Sequence, residues 1–401
     1  MVFIDLKYKL ENQQLDCQIS FMITRTRYFQ DMERALKRSP VVSLLGPRQC
    51  GKTTLARQFL GRENVNYFDL EEPAVSALLE HPAVALRDLR GLVVIDEAQR
   101  QPGLFPVLRV LADRPGRPAT FLLLGSASPE LSRQAAESLA GRVEIIEMRG
   151  LDLGEVPAEA QERLWWRGGF PRSFLAENDE DSVAWRKNFT RTFLERDLAL
   201  LGFGLSPALM RRLWTMIAHY HGQIWNGSEL AASLGVAPNT VRAYLDALEQ
   251  TYMVRRLQPW HTNLGKRVVK SSKIYLRDSG LLHTLLGLRN GAELRMHPKL
   301  GASWEGFVIE ELLRALGPDE AYFYAVHSGS ELDLMLVRGG RRIGVEVKWA
   351  DAPGMTRSMH VARADLKLDE LWVVYPGERT YALSDQVTVL PLAEALKRTG
   401  P

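Results

Sequence analysis

The sequence predicts an α/β protein whose N-terminal part is a parallel sheet covered by helices on both faces. Three observations carry that prediction. Five short apolar runs, at Val41–Leu45, Val65–Leu70, Gly91–Ala98, Thr120–Ser126 and Val143–Met148, alternate with helical stretches. Continuous apolar runs, unlike runs that alternate with polar residues, mark strands buried on both faces, which is how parallel strands sit in α/β domains. A glycine loop, Gly46-Pro47-Arg48-Gln49-Cys50-Gly51-Lys52-Thr53-Thr54, joins the first run to a helical stretch. The third run ends in two carboxylates, Asp96 and Glu97.

Taken in order, Tyr28–Leu36 reads as a short helix leading into the first strand. The loop after that strand has the spacing of a phosphate-binding P-loop: Gly46, four residues, then Gly51-Lys52-Thr53. Strand, loop and helix are the context that motif requires. Its glycines let successive backbone N–H groups turn toward an anion, and the following helix adds the positive end of its dipole. Lys52 is placed to reach β/γ-phosphates and the Thr53 hydroxyl to ligate Mg²⁺, so ATP and Mg²⁺ are the expected cofactors. A helical stretch follows from about Pro73 to Leu86, and another covers Leu104 to Leu111. Asp96 is placed to hold the metal's water shell, and Glu97 to orient and polarise an attacking water. Both lie at a strand's C-terminal end, where open α/β sheets bind ligands. Ser126, ending the next strand, is a candidate contact for the γ-phosphate or the water. This first domain, 22–153, is expected to close near Leu153.

The chain has 401 residues, enough for two or three domains. Its 46% hydrophobic and 25% charged content is ordinary for a globular protein, and a net charge of +3 excludes a bulk polycation. Any nucleic-acid surface must come from local clustering. Cys17 and Cys50, the only cysteines, cannot make a disulfide framework or a four-cysteine zinc site, which fits a reducing cytoplasm. No apolar run reaches the ~18 residues of a membrane span, so no membrane partner is expected. Residues 1–21 carry scattered polar and acidic residues without a signal-peptide core. Organised pattern begins just after Met22, so either Met1 or Met22 reads as the start.

The motifs Gly46–Thr54, Val94-Ile95-Asp96-Glu97-Ala98-Gln99 and Leu124-Gly125-Ser126-Ala127-Ser128 resemble those of prokaryotic AAA-type ATPases described simply as ATP-binding proteins. In that family a C-terminal domain of unknown function follows the ATPase. The resemblance spans nearly the whole chain from Met22, and Arg48-Gln49 within the loop is its more specific part. It implies a five-stranded core and a homo-oligomer, because AAA-type sites are often completed by a neighbour's arginine. Arg142, in Leu139-Ala140-Gly141-Arg142, matches the family's Gly-Arg pair before the last core strand, as an arginine finger or sensor; Arg133 is the second candidate. Cys50 departs from the apolar residue usual at its position and is expected to set a thiol beside the phosphates, where oxidation or alkylation should impair ATP binding.

Residues 154–206 read as a helical lid, with Trp165, Trp166 and Trp185 as packing residues and an interruption at Gly168-Gly169-Phe170-Pro171. Residues 207–262 carry a winged helix-turn-helix cadence. Ser228 is the expected cap of one helix, Gly235 its end, and Pro238 the start of the next. Asn239, Thr240 and Arg242 are placed to face a DNA groove. Arg255-Arg256 on the wing strand, with Lys266, Arg267, Lys270 and Lys273 after it, form the densest basic cluster in the chain. The same pattern serves DNA or protein contacts.

The last region, 271–401, reads as mixed α/β. Trp304–Leu313 is an amphipathic helix, and strands at Glu331–Val337 and Ile343–Lys348 flank a Gly339-Gly340 turn. Alternation puts Glu346 and Lys348 on one face. Carboxylates from both strands with a lysine nearby suit metal-assisted phosphodiester cleavage. Asp333 with Glu346-Val347-Lys348 resembles the PD-(D/E)XK nuclease core, and Glu305 matches the carboxylate its first helix sometimes adds; cleavage, or a degenerate domain kept for DNA binding, are both open.

These readings lead to a cytoplasmic, Mg²⁺-dependent AAA-type ATPase that binds and remodels DNA, branched or forked DNA included. One alternative is a regulatory switch whose winged helix and C-terminal domain bind proteins. Another is an ATP-regulated DNA endonuclease.

Overall fold

The computed structural model describes residues 23–60, 66–126, 137–201, 203–260 and 269–398. Lys266, Arg267 and Arg133 lie outside the described residues, as does Met22. The N-terminal sheet is parallel, with strands β1 (Val41–Gly46), β2 (Tyr67–Asp69), β3 (Gly91–Asp96), β4 (Ala119–Ser126) and β5 (Val143–Glu147) in the order β2-β3-β4-β1-β5. The first strand in sequence therefore lies inside the sheet. Its C-terminal Gly46 is in register with Ser126 of β4. The apolar runs pack on both faces: Val41, Leu45, Val93, Ile95 and Phe121 into one layer, Val42, Leu44, Val94 and Leu122 into the other. The expected helix Pro73–Leu86 is two helices, Pro73–Leu78 and Pro82–Leu86. Pro82 has no N–H to donate and restricts His81 before it, so the first helix cannot run through.

A helical unit follows. Helix Asp179–Thr192 continues through a π-turn at Phe193–Asp197 into Leu198–Leu200. Next comes a winged helix: helices Pro207–His219, Gly227–Leu234 and Pro238–Gln250, with β6 (Gln223–Ile224), β7 (Val254–Leu257) and β8 (Lys273–Leu276) ordered β6-β8-β7. Gly235 at φ +70° ends the second helix and Pro238 opens the third, as the residue pattern required. The cap of the second helix is Asn226, whose side chain accepts from Glu229 N–H, not Ser228. Ser228 lies two residues past the cap position, inside the helix.

The C-terminal unit is a six-stranded mixed sheet, β13-β14-β12-β11-β10-β9. Its members are β9 (Glu320–Ala325), β10 (Glu331–Arg338), β11 (Arg341–Val347), β12 (Glu370–Tyr375), β13 (Tyr381–Ser384) and β14 (Val387–Pro391). The β10–β11 hairpin turns at Gly339-Gly340, both with positive φ, as its tight reversal requires. Helix Leu300–Leu316 covers one face through Trp304, Val308 and Leu312. Helix Arg357–Leu366 covers the other through Met359, Ala362 and Leu366.

The units meet in a buried ion cluster. Glu310 of the Leu300–Leu316 helix faces Arg149 after β5, Arg255 of β7 and Arg277 after β8. Burial alone would raise the Glu310 carboxyl; Arg255 and Arg277 instead hold it far below the usual range. Arg277 and Arg149 likewise bring Glu147, at the end of β5, down to about 2 against the upward push of burial.

Candidate nucleotide site

The P-loop curls because Gln49 and Gly51 both take positive φ, +62° and +102°. A side chain on Gly46 would put its Cβ 2.1 Å from the Met148 carbonyl oxygen, so glycine is needed where the loop leaves the sheet. Lys52 folds back over the loop: its Nζ donates to the carbonyls of Gly46 at 3.0 Å and Pro47 at 2.9 Å. Those carbonyls bear no net charge, so the ammonium's charge is left for a ligand. Thr53 Oγ1 donates to Asp96 Oδ2 at 2.7 Å, and Tyr67 O–H donates to the same oxygen at 2.6 Å. Glu97 N–H donates to Asp96 Oδ1, which fixes the carboxylate from both ends. Thr53 and Asp96 thus converge two hard oxygen donors at the mouth of the loop. That donor set fits Mg²⁺, which keeps most of its waters and takes one or two protein oxygens beside phosphates.

Glu97 sits at φ +55°, an uncommon conformation for a non-glycine residue that aims its side chain into the cleft. Burial raises its carboxyl above the ordinary value, against the pull of Lys52 and Arg48. Gln99 donates to one of its oxygens. Ser126 is buried at the end of β4, and its Oγ has no hydrogen-bond partner among the described residues. That hydroxyl lies beside Gly46, where β1 enters the loop.

The cleft over the loop measures about 540 Å³, within the range of small-molecule sites. Its far wall comes from the helical unit: Arg172, Thr192, Arg196 and Asp197. The π-turn Phe193–Asp197 carries Arg196 and Asp197. Asp197 accepts from Arg48 at 2.6 Å, and Arg48 also donates to Glu71 at 3.2 Å. The Arg48 guanidinium therefore joins the loop to the helical unit. Sequence reasoning missed Arg172 and Arg196, since two arginines in helices more than 100 residues past the loop carry no local signal. It also missed Arg25, whose guanidinium donates to the Cys50 and Arg149 carbonyls behind the loop.

The other expected residues separate. Arg142 precedes β5, at the opposite end of the sheet from the loop, and pairs with Asp113 at 2.7 Å. It cannot reach the P-loop of its own chain, so the sensor role is corrected and only a role toward a neighbouring copy is left to propose. Cys50 is fully buried with Sγ near the Met148 carbonyl, so the thiol does not sit beside the phosphates as expected. Asn239 and Arg242 are exposed and Thr240 half-buried on one face of helix Pro238–Gln250. Arg255 is instead turned inward onto Glu310, and Arg256 is held by Asp246 and Glu249. Lys273, expected on the basic surface, is buried. Glu305, Asp333, Glu346 and Lys348 do come together: Lys348 Nζ donates to Glu346 at 2.6 Å, and Asp333 Oδ2 accepts from Val347 N–H at 2.8 Å. Burial and the neighbouring Asp333 push Glu305 up to about 7 and Glu346 to about 8.

Sheet order, loop and strand-end carboxylates define the class, an AAA-type P-loop ATPase fold. Residues 38–157 match the family described as "AAA domain", 158–292 a "Domain of unknown function (DUF8612)", and 300–395 a "Domain of unknown function (DUF4143)". The "Uncharacterized protein Rv2008c" of Mycobacterium tuberculosis and the "Uncharacterized protein Mb2031c" of Mycobacterium bovis are each 53% identical over 369 residues, 92% of this chain and 83% of theirs. The chain belongs to the family of these mycobacterial proteins. Among solved structures, the Walker-type ATPase PABY2304 of Pyrococcus abyssi matches with TM-score 0.48 and 17% identity, over 66% of this chain and 96% of that one. Among the described residues no helix is long and apolar enough to cross a membrane.

Proposed function

We propose that the chain hydrolyses ATP with Mg²⁺ in the Lys52–Glu97 cleft and uses the cycle to rearrange its winged helix and C-terminal unit on DNA. The observation that carries this reading is the convergence of Lys52, Thr53 and Glu97 on one open cleft at the sheet's C-terminal edge, with buried Asp96 hydrogen-bonded to Thr53 behind it. Loop N–H groups and Lys52 would bind and orient the phosphates. Glu97, raised by burial, would take a proton from the attacking water. Ser126 would hold that water or the γ-phosphate, and Arg196 would reach the phosphates from across the cleft. Thr53 and Asp96 would hold Mg²⁺, which when bound neutralises phosphate charge. Arg142 would act on a neighbouring copy in a homo-oligomer.

The DNA part rests on the exposed Asn239 and Arg242, with half-buried Thr240 between them, on the third winged-helix helix. The inward turn of Arg255 and the pairing of Arg256 with Asp246 and Glu249 support the second reading, in which the winged helix contacts proteins and nucleotide state switches the chain. Turnover measured against single-stranded, duplex, forked and branched DNA, with Lys52→Ala as the blank, separates the two. DNA stimulation supports the first; turnover indifferent to every nucleic acid supports the switch.

A further inference from the structure

The C-terminal sheet carries a concentration of positive charge at the hairpin end of β10 and β11. Arg338 and Arg341 are direct cross-strand partners on either side of the Gly339-Gly340 turn. Like charges placed opposite each other in an antiparallel pair repel and weaken the pairing. Arg398, just after helix Leu392–Lys397, adds a third guanidinium and lies over the Trp372 ring at 5.5 Å from its centroid. All three arginines line one cavity of about 520 Å³, with Leu316, Leu336, Ile343 and Trp372 as its apolar wall.

One carboxylate answers them. Glu370 of β12 accepts from Arg341 at 2.5 Å and from Trp372 Nε1–H at 2.8 Å, and lies 3.6 Å from Arg398. Burial would raise its carboxyl, but the Trp372 N–H and the Arg341 guanidinium hold it below the ordinary value, so it stays charged. Arg338 is half-buried and has no ion-pair partner among the described residues. Asp319, beside the turn, gives its carboxylate to Gly339 N–H at 2.8 Å. Three guanidinium groups thus share one carboxylate in the cavity wall. Charge held partly out of water without a partner is costly, and so is the repulsion across the hairpin. A bound anion relieves both. Guanidinium forks match phosphate oxygens two at a time, which favours phosphate as that anion. The cavity's volume leaves room for the group that carries it.

We propose that Arg338, Arg341 and Arg398 form a phosphate-binding site on the C-terminal unit. The phosphate belongs either to a small phosphorylated molecule or to a nucleic-acid backbone, and only the second source rests on the DNA reading above.

Calorimetric titration of the full chain carrying Lys52→Ala, which weakens the P-loop as a competing site, tests this with two probes, pyrophosphate and oligothymidylate. At least one probe binds saturably, and adding Arg338→Gln weakens it at least tenfold. Thermal unfolding in phosphate-free buffer gives a second readout. There Arg338→Gln raises the midpoint, because it removes the cross-strand repulsion, and it abolishes the further rise that the bound probe gives the parent chain. Arg398→Gln, which leaves the hairpin untouched, serves if Arg338→Gln does not fold, and weakens the same probe. An effect on pyrophosphate alone assigns a small phosphorylated ligand; an effect on oligothymidylate assigns the backbone. If pyrophosphate binds through these arginines and oligothymidylate does not bind at all, the DNA reading fails and the site stands. If oligothymidylate binds parent and folded variants equally and pyrophosphate shows no dependence on these arginines, the site is refuted and the DNA reading stands. If neither probe binds, both fall.

Discussion

The P-loop cleft and the C-terminal acidic cluster are built from the same materials: carboxylates, a lysine and neighbouring hydroxyls. They differ in what the lysine touches. Lys52 donates to two backbone carbonyls, partners that an incoming phosphate displaces at little electrostatic cost. Lys273 is locked onto carboxylates in a nearly dry interior, where leaving one charge unpaired is expensive. The first arrangement is open to a ligand, and the second is neutralised in advance. A lysine's role is set by the charge of its partners more than by the motif that contains it.

The largest expected effect is on the open side. Glu97→Gln keeps the shape of the cleft but removes the proton acceptor, so ATP turnover falls by about 10³-fold, ~4 kcal/mol, while nucleotide binding is retained. Nucleotide binding by fluorescence and phosphate release in the same samples check this; loss of both together contradicts it. Next comes the junction between the regions. Glu310→Gln leaves three arginines facing a neutral group and lowers stability by about 3 kcal/mol in urea unfolding. A change below 0.5 kcal/mol would show that the units are not clamped there.

The closed side has a pH signature. Glu305 and Glu346 titrate at about 7 and about 8 when folded, raised first by burial and then by Asp333, against 4.5 for an ordinary glutamate. Between those values the folded chain binds more protons than the unfolded one, so stability falls as pH rises. His221 and His283, pushed down to about 3 by burial, give the opposite slope, but only below pH 6.5. From pH 6.5 to 8, unfolding free energy should drop by about 3 kcal/mol, with Glu311, also raised to about 8 by burial, contributing beside Glu305 and Glu346, and Glu346→Gln should shrink the drop without abolishing it. A flat wild-type profile would contradict the burial argument. The smallest effect is across the cleft. Arg196→Ala should lower turnover about tenfold, ~1.4 kcal/mol, and leave the fold intact.

The ATPase sheet was legible because buried parallel strands are continuous apolar runs and the loop's spacing is a local pattern. Asp96, Glu97 and Ser126 could be placed because strand ends face the ligand edge of such sheets. The helix break at Pro82 was also in the sequence, as a proline inside the expected helix. What could not be read were contacts between distant segments. Arg196 reaches the cleft through a π-turn that no periodicity announces. Arg255 looks like a surface arginine until Glu310, 55 residues on, is folded against it. Lys273 sits in a basic run that suggests DNA, yet β8 turns it toward acids from the next unit. A charge run gives sign and density, and only the fold decides which of its members reach solvent.

The contrast between an open and a closed centre is tested most directly by counting Mn²⁺ on the wild-type chain with and without a non-hydrolysable ATP analogue. One ion per chain that appears only with the nucleotide, and is lost in Asp96→Asn, is the expected result. An ion bound without nucleotide and lost in Asp333→Asn would contradict it.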